Sequence, residues 1–211
     1  MFRIISSAIT LTDRLLINLI PLKEDIILKD TGFQRFIVGV GDLINDSITV
    51  VDSFFAASTN KQIKVQNLKK QAKGMIIEMP GYSFTEQTIV TINPEVAGSL
   101  SYIDGCSNSN IIPPPRNGEP CLNYLYFPCN INQTFHTHPS IRIGCILSGQ
   151  GMAETSVGMF ELKVGDVFIL DRFTRHRFIT LDKHMSLIAF HPDSDDGPTD
   201  EINPMKSRTH L

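Results

Sequence analysis

The chain has no histidine before position 136, no C-x-x-C pair, and no apolar run long enough to make a membrane helix without interruption. Each absence removes a class of protein. The four cysteines, Cys106, Cys121, Cys129 and Cys145, form no dense framework, so the expectation is reduced thiols in a cytoplasmic protein rather than a disulfide-stapled one. The first twenty residues, MFRIISSAITLTDRLLINLI, are apolar but broken by Arg3, Asp13 and Arg14, and no small-residue cleavage site follows. Neither a secretory leader nor a membrane span is therefore expected. The formal charge is only -3, which gives no reason to expect nucleic acid or an anionic membrane as partner.

At 211 residues, with 42% hydrophobic and 19% charged side chains, the chain has ordinary globular composition and suits one domain with an extension. Residues 1–74 read as an extension of mixed α/β character. Thr12 or Asp13 can cap a helix whose face is Leu15, Leu16, Leu19 and Ile20 and which Pro21 ends. Over 46–58, DSITVVDSFFAAS, helix and strand are balanced: Ile48, Val51, Phe54 and Phe55 fit a helical face, while β-branched residues lower helix propensity. The lysines at 61, 64, 69, 70 and 73 read more simply as a solvated face than as an anion site.

From residue 75 the pattern changes to short apolar runs between turn residues: GMIIEMPG, QTIVTINP, SLSYIDG, LNYLYFP, SIRIGCILSG, MFELKVGDVFIL, HRFIT and MSLIAFHP. Strands of four to eight residues, with no helix-length periodic segment among them, predict an all-β barrel or jelly roll over 75–195. The prolines of IIPPPRNGEP, 111–120, exclude a central strand there. Residues 196–211 are polar and proline-broken and are expected to form a surface tail.

Within this β region, His136 and His138 stand one residue apart. On a strand such residues share a face, so the pair can converge on one ion. Imidazole suits zinc, iron, nickel or copper, and two ligands need a third from elsewhere. Further along, in MFELKVGDVFILDRFTRHRF, Gly165 and Asp166 make a turn, Val167 to Leu170 a strand, and His176 opens the next. Arg142, Gly144 and Ile146 alternate with Ile143, Cys145 and Leu147, so Arg142 shares the histidines' general direction and Cys145 has the opposite parity. Gly149 is expected to end that strand.

With these residues in view, the sequence resembles the cupin superfamily, small jelly-roll barrels built around two short motifs. The first family motif, G, five residues, H-x-H, three or four residues, E, six residues, G, falls on Asn130, His136, His138, Arg142 and Gly149. The second, G, five residues, P-x-G, two residues, H, three residues, N, falls on Gly165, Asp171, Phe173, His176 and Thr180. Spacing is kept while several identities change. The resemblance spans roughly 98–192 and implies a double-stranded β-helix, with His136, His138 and His176 as ligands of a divalent transition metal (Fe, Mn, Ni or Zn).

The family's glutamate is replaced by Arg142, and two readings of that arginine stand side by side. It is neutralised by Asp171 as internal structure, or it grips a substrate carboxylate in bidentate fashion. Arg142, Asp171 and Tyr126 are thus the candidate substrate-binding residues, with ordinary packing as the other reading of Tyr124 and Tyr126. His184 reads as an exposed turn residue; His191, which ends the last expected strand, reads more simply as a surface or capping residue than as one approaching the barrel mouth. The resemblance implies a metal-binding, oxygenase-like enzyme acting on a small molecule that carries a carboxylate. Its alternatives are a non-catalytic binding barrel and a metal-free structural barrel whose extension mediates a homodimer.

Overall fold

The computed structural model describes residues 1–12, 16–29, 33–45, 48–59, 63–67, 73–79, 88–114 and 118–193; within these, the side chains of 41–59, 63–67 and 88–92 are outside the described set. In chain order the first strands are β1 (Phe2–Ile5), β2 (Ile9–Leu11), β3 (Ile17–Leu22), β4 (Ile26–Leu28), β5 (Gln34–Asn45), β6 (Ile48–Thr59), β7 (Ile63–Asn67), β8 (Lys73–Met79) and β9 (Thr88–Ile92). They are followed by β10 (Leu100–Ser101), β11 (Ser107–Ile112), β12 (Cys121–Phe127), β13 (Arg142–Thr155), β14 (Gly158–Lys163), β15 (Val167–Leu170), β16 (His176–Ile179) and β17 (Met185–His191).

Among the described residues all pairings are antiparallel and fall into two sheets. One has the order β2-β3-β8-β5-β6-β9, with β4 and β7 attached beside it. The other has the order β1-β15-β13-β17-β12-β11-β10, with β14 and β16 paired to the second half of the long strand β13. The chain's first strand therefore crosses to the second sheet, and β8, which spans residues 74 and 75, lies in the first.

Strand alternation decides where the core sits. In β13, Ile143, Cys145 and Leu147 face one way and pack with Phe36, Val38, Met75 and Ile77 of the first sheet. The even-numbered positions face the other way: Ile146 joins Phe168, Leu170, Phe178, Met185 and Leu187 inside the barrel. The second sheet is thus covered on both faces, which is why residues 142–147 are buried without a break. Cys145, with the parity opposite to Arg142, belongs to the outer face, as expected.

The expected helix near 12–21 is not there. Asp13 and Leu15 lie outside the described residues, but Ile17–Leu22 is a strand in which Ile17 and Leu19 are buried at every second position. The leucine and isoleucine positions fit a helical face and a strand face alike, and pairing with β8 decides between them. Pro21 is tolerated because the β2 pairing stops at Leu19, leaving β3 an edge where a missing N–H costs little. Of the 46–58 segment, balanced between helix and strand, residues 48–58 lie in β6, and 46 and 47 lie outside the described residues. Among the described residues the one helical turn is the 3-10 turn Ile103–Gly105, so the extension is β rather than α/β. The expected tail and most of the lysine cluster lie outside the described residues.

Candidate metal centre and cavity

His136 and His138 do not sit on a regular strand. They belong to an irregular segment laid antiparallel against β16 by the bridges Asn132↔Ile179 and His136↔His176. His136 and His176 exchange both backbone N–H···O bonds at 3.0 Å, so they are directly opposite and their side chains emerge on one side. The three rings close on one another, with centroids 4.4 Å apart for His136–His176, 5.0 Å for His138–His176 and 5.1 Å for His136–His138. One ligand-capable atom from each of the three lies within 4.8 Å of those of the other two.

Two of the rings are oriented by carbonyls. The Nδ1 of His136 lies 3.0 Å from the Thr134 carbonyl, and that of His176 lies 2.9 Å from the Thr174 carbonyl. A carbonyl only accepts, so each Nδ1 carries the hydrogen and each Nε2 keeps its lone pair. The Nε2 of His176 is buried with no hydrogen-bond partner. An orphaned acceptor aimed at two other imidazoles fits a divalent transition ion, and the carbonyls behind the rings are the usual orienting groups of metal-bound histidine. Asp104 extends this support: its carboxylate accepts both the backbone N–H and the hydroxyl of Thr134, which holds that carboxyl below the usual range.

His138 and His176 open onto a cavity of about 90 Å³ inside the barrel. His138, His176 and Arg142 line it, with Tyr102, Asn108, Asn123 and His191 and an apolar wall that includes Leu125, Phe168 and Leu187. Burial pushes His176 down to about 4, with the neighbouring His136 and Arg142 charges adding to the effect. His191 is pushed down to about 3, by burial first and Arg142 second. The same two causes, in the same order, lower His138 strongly. These rings are neutral near pH 7, the state in which imidazole ligates.

Arg142 lines the cavity, while Asp171 is engaged elsewhere. The Arg142 Nη1 donates to the Ser140 carbonyl at 3.3 Å, to the Ser140 hydroxyl, and to the Ile141 carbonyl at 3.1 Å. Asp171 is held by Arg3 at 2.9 Å and by the N-terminal ammonium at 3.2 Å, both delivered by β1, which pairs with β15 just before it. Tyr126 faces away from the cavity: Leu125 and Phe127 point in, and Tyr126 packs on the outer cluster and stacks on His184 at 5.5 Å. His184, expected to be exposed, is half-buried and meets the Ser148 hydroxyl at 3.0 Å. His191, expected at the surface, is a cavity residue instead.

Two of the altered motif positions have a left-handed backbone of the kind that suits glycine. Asn130 and Phe173, which stand where the motifs have glycine, have φ of 60° and 57°, beside 69° at Gly149 and 84° at Gly165. Asparagine tolerates that region; phenylalanine is strained there. Gly149 does not end its strand: β13 runs on to Thr155 after a bulge between Ile146 and Ser148. Phe173 is 59% exposed, and its N–H donates to the His138 carbonyl at 2.7 Å. Phe173→Gly should therefore raise stability by about 0.5–1 kcal/mol, relief of strain outweighing added unfolded-state entropy. A lower urea midpoint in that variant would show the ring contributes more than its backbone costs.

No family model and no curated protein matches the sequence. Solved structures do. A cupin 2 conserved barrel domain protein from Leptotrichia buccalis aligns at TM-score 0.58 and 14% identity, over 89% of this chain and 88% of that one. The chain has the cupin fold. Protein Ylba from E. coli aligns at TM-score 0.55 and 15% identity, over 88% of this chain and 81% of that one. Salicylate 1,2-dioxygenase from Pseudaminobacter salicylatoxidans aligns at TM-score 0.57 and 8% identity, over 88% and 76%. These alignments extend well beyond 98–192, so the first sheet belongs to the cupin likeness too. No helix among the described residues is long and apolar enough to cross a membrane.

Proposed function

We propose that the chain is a metal-dependent cupin with an oxygenase-like activity on a small carboxylate-bearing molecule. The observation that supports it most is the three-imidazole cluster, in which two rings are fixed by carbonyls and the His176 Nε2 is buried without a partner. His136, His138 and His176 would hold the ion and leave coordination positions open toward the cavity. When bound, a divalent transition metal supplies Lewis acidity and, if redox-active, oxygen chemistry. Arg142 would fix the substrate carboxylate, and the apolar wall would exclude water from the rest of the molecule. The likeness in fold to a salicylate 1,2-dioxygenase, whose named substrate is itself a small carboxylate, supports this reading.

A second reading is favoured by one feature: no Asp or Glu is among the described residues that line the cavity. That suits a binding barrel without an internal general base. Elemental analysis of protein purified without added metal tests the first reading. Near-stoichiometric transition metal is expected, falling at least tenfold in a His136→Ala, His176→Ala double variant. Protein that holds neither native metal nor added Fe, Mn, Ni or Zn would sink it. A bound carboxylate recovered intact after prolonged incubation with oxygen and metal would favour the binding barrel.

A further inference from the structure

The cavity contains polar groups that neither the three histidines nor Arg142 account for. In the β12–β17 ladder, Cys121 is opposite His191 and Asn123 opposite Ala189, so Asn123 and His191 are diagonal neighbours on one face. That face is the cavity face, since Leu125, Leu187 and Ala189 line the cavity from the same two strands. Asn123 and His191 are half-buried there, between the apolar wall and other polar lining residues such as Asn108 and Arg142, and polar groups withdrawn from water are costly unless something bonds to them. Here the mutual contact is a single long one, Asn123 Nδ2 to His191 Nε2 at 3.4 Å. An amide has two donor hydrogens and an acceptor oxygen, and neutral imidazole has one of each, so most of this capacity remains for a bound group.

Charge sets what that group is. Arg142 is the one formally charged side chain among the described lining residues, His apart, and no Asp or Glu is among them. An anion is therefore favoured at Arg142, and a second cation, beyond the ion proposed for the histidines, is disfavoured in the cavity. A group that both donates and accepts, without charge, matches Asn123 and His191; a hydroxyl is the smallest.

We infer that Asn123 and His191 are specificity-determining residues that bind a hydroxyl of the substrate, which makes the substrate a small hydroxycarboxylic acid. The inference rests on the proposed binding of a carboxylate at Arg142. Calorimetric titration of the metal-loaded protein with two matched pairs, propanoate and 3-hydroxypropanoate, and benzoate and 2-hydroxybenzoate, tests it, with β-alanine as the ammonium counterpart. In at least one pair the hydroxy acid should bind about tenfold tighter than its parent, and β-alanine should bind weaker than propanoate. Asn123→Leu and His191→Phe should each bring the ratio to within about twofold while metal content is unchanged; His191→Gln serves if His191→Phe does not fold. Arg142→Gln should weaken both members of a pair alike and keep the ratio. Carboxylate binding that needs Arg142 but shows no hydroxyl preference, or a preference that survives in both variants, overturns this inference alone. Failure of any carboxylate to bind, or binding indifferent to Arg142, overturns the carboxylate reading and this inference with it.

Discussion

Phe190→Ala should lower the unfolding free energy by about 3–5 kcal/mol, a large part of the stability of a domain this size. Phe190 is fully buried on β17, opposite Leu122 on one side and Ile143 on the other. Its ring lies 5.2 Å from that of Phe36 on the first sheet. The strands that hold its neighbours are fixed by their ladders, so they have little freedom to close the cavity that truncation leaves. Phe36→Ala should cost a similar amount, and the double variant less than the sum, because both remove the same inter-sheet contact. Equilibrium urea unfolding measures all three. A cost under about 1 kcal/mol for Phe190→Ala would mean that the sheets are held together elsewhere. Two separate transitions in the wild type would mean that they unfold independently.

That contact also marks the limit of what the primary structure discloses. Alternation in SIRIGCILSG separates Arg142 from Cys145 correctly, because residues two apart on a strand share a face. It does not say that the outer face meets another sheet. In β12, CLNYLYF, nearly every residue is apolar or aromatic, and the polar Asn123 stands on the inward parity, so polarity points to the wrong face. Tyr126 and Leu125 are indistinguishable until the ladder is known. His191 is obscured for the same reason: it closes a strand that is apolar throughout, and its side follows from the register with Cys121. Asp171 could be assigned to Arg142 only while β1 was unseen, since Arg3 is 168 positions away in sequence. The histidine triad, by contrast, was legible from motif spacing. The spacing holds because Asn130 and Phe173 keep the left-handed backbone that glycine would supply, although His136 and His138 sit on an irregular segment rather than a strand.

Acidification should destabilise the metal-free protein by up to about 6 kcal/mol between pH 7 and pH 5. In the unfolded chain His138, His176 and His191 take up protons near the ordinary value of about 6.5. In the folded protein burial, with Arg142 beside the rings, keeps them neutral to much lower pH, about 4 for His176 and about 3 for His191. As pH falls below 6.5 the unfolded state therefore binds protons that the folded state refuses, and stability is lost until the folded values are reached. Each fully shifted group contributes about 2 kcal/mol over this range. His191→Phe should remove about a third of the slope. Arg142→Gln should flatten it for all three rings, by less than the burial contribution, because Arg142 is the smaller cause. Urea midpoints at pH 7, 6 and 5 in the presence of a chelator provide the measurement, and midpoints that do not change would show that these rings are protonated inside the barrel. Zinc-loaded protein should start higher at pH 7, since an ion bound only by the folded state adds its binding free energy. That offset should persist down to pH 5, because His138 and His176 are already neutral in the metal-free folded protein over this range and protons there do not displace the ion.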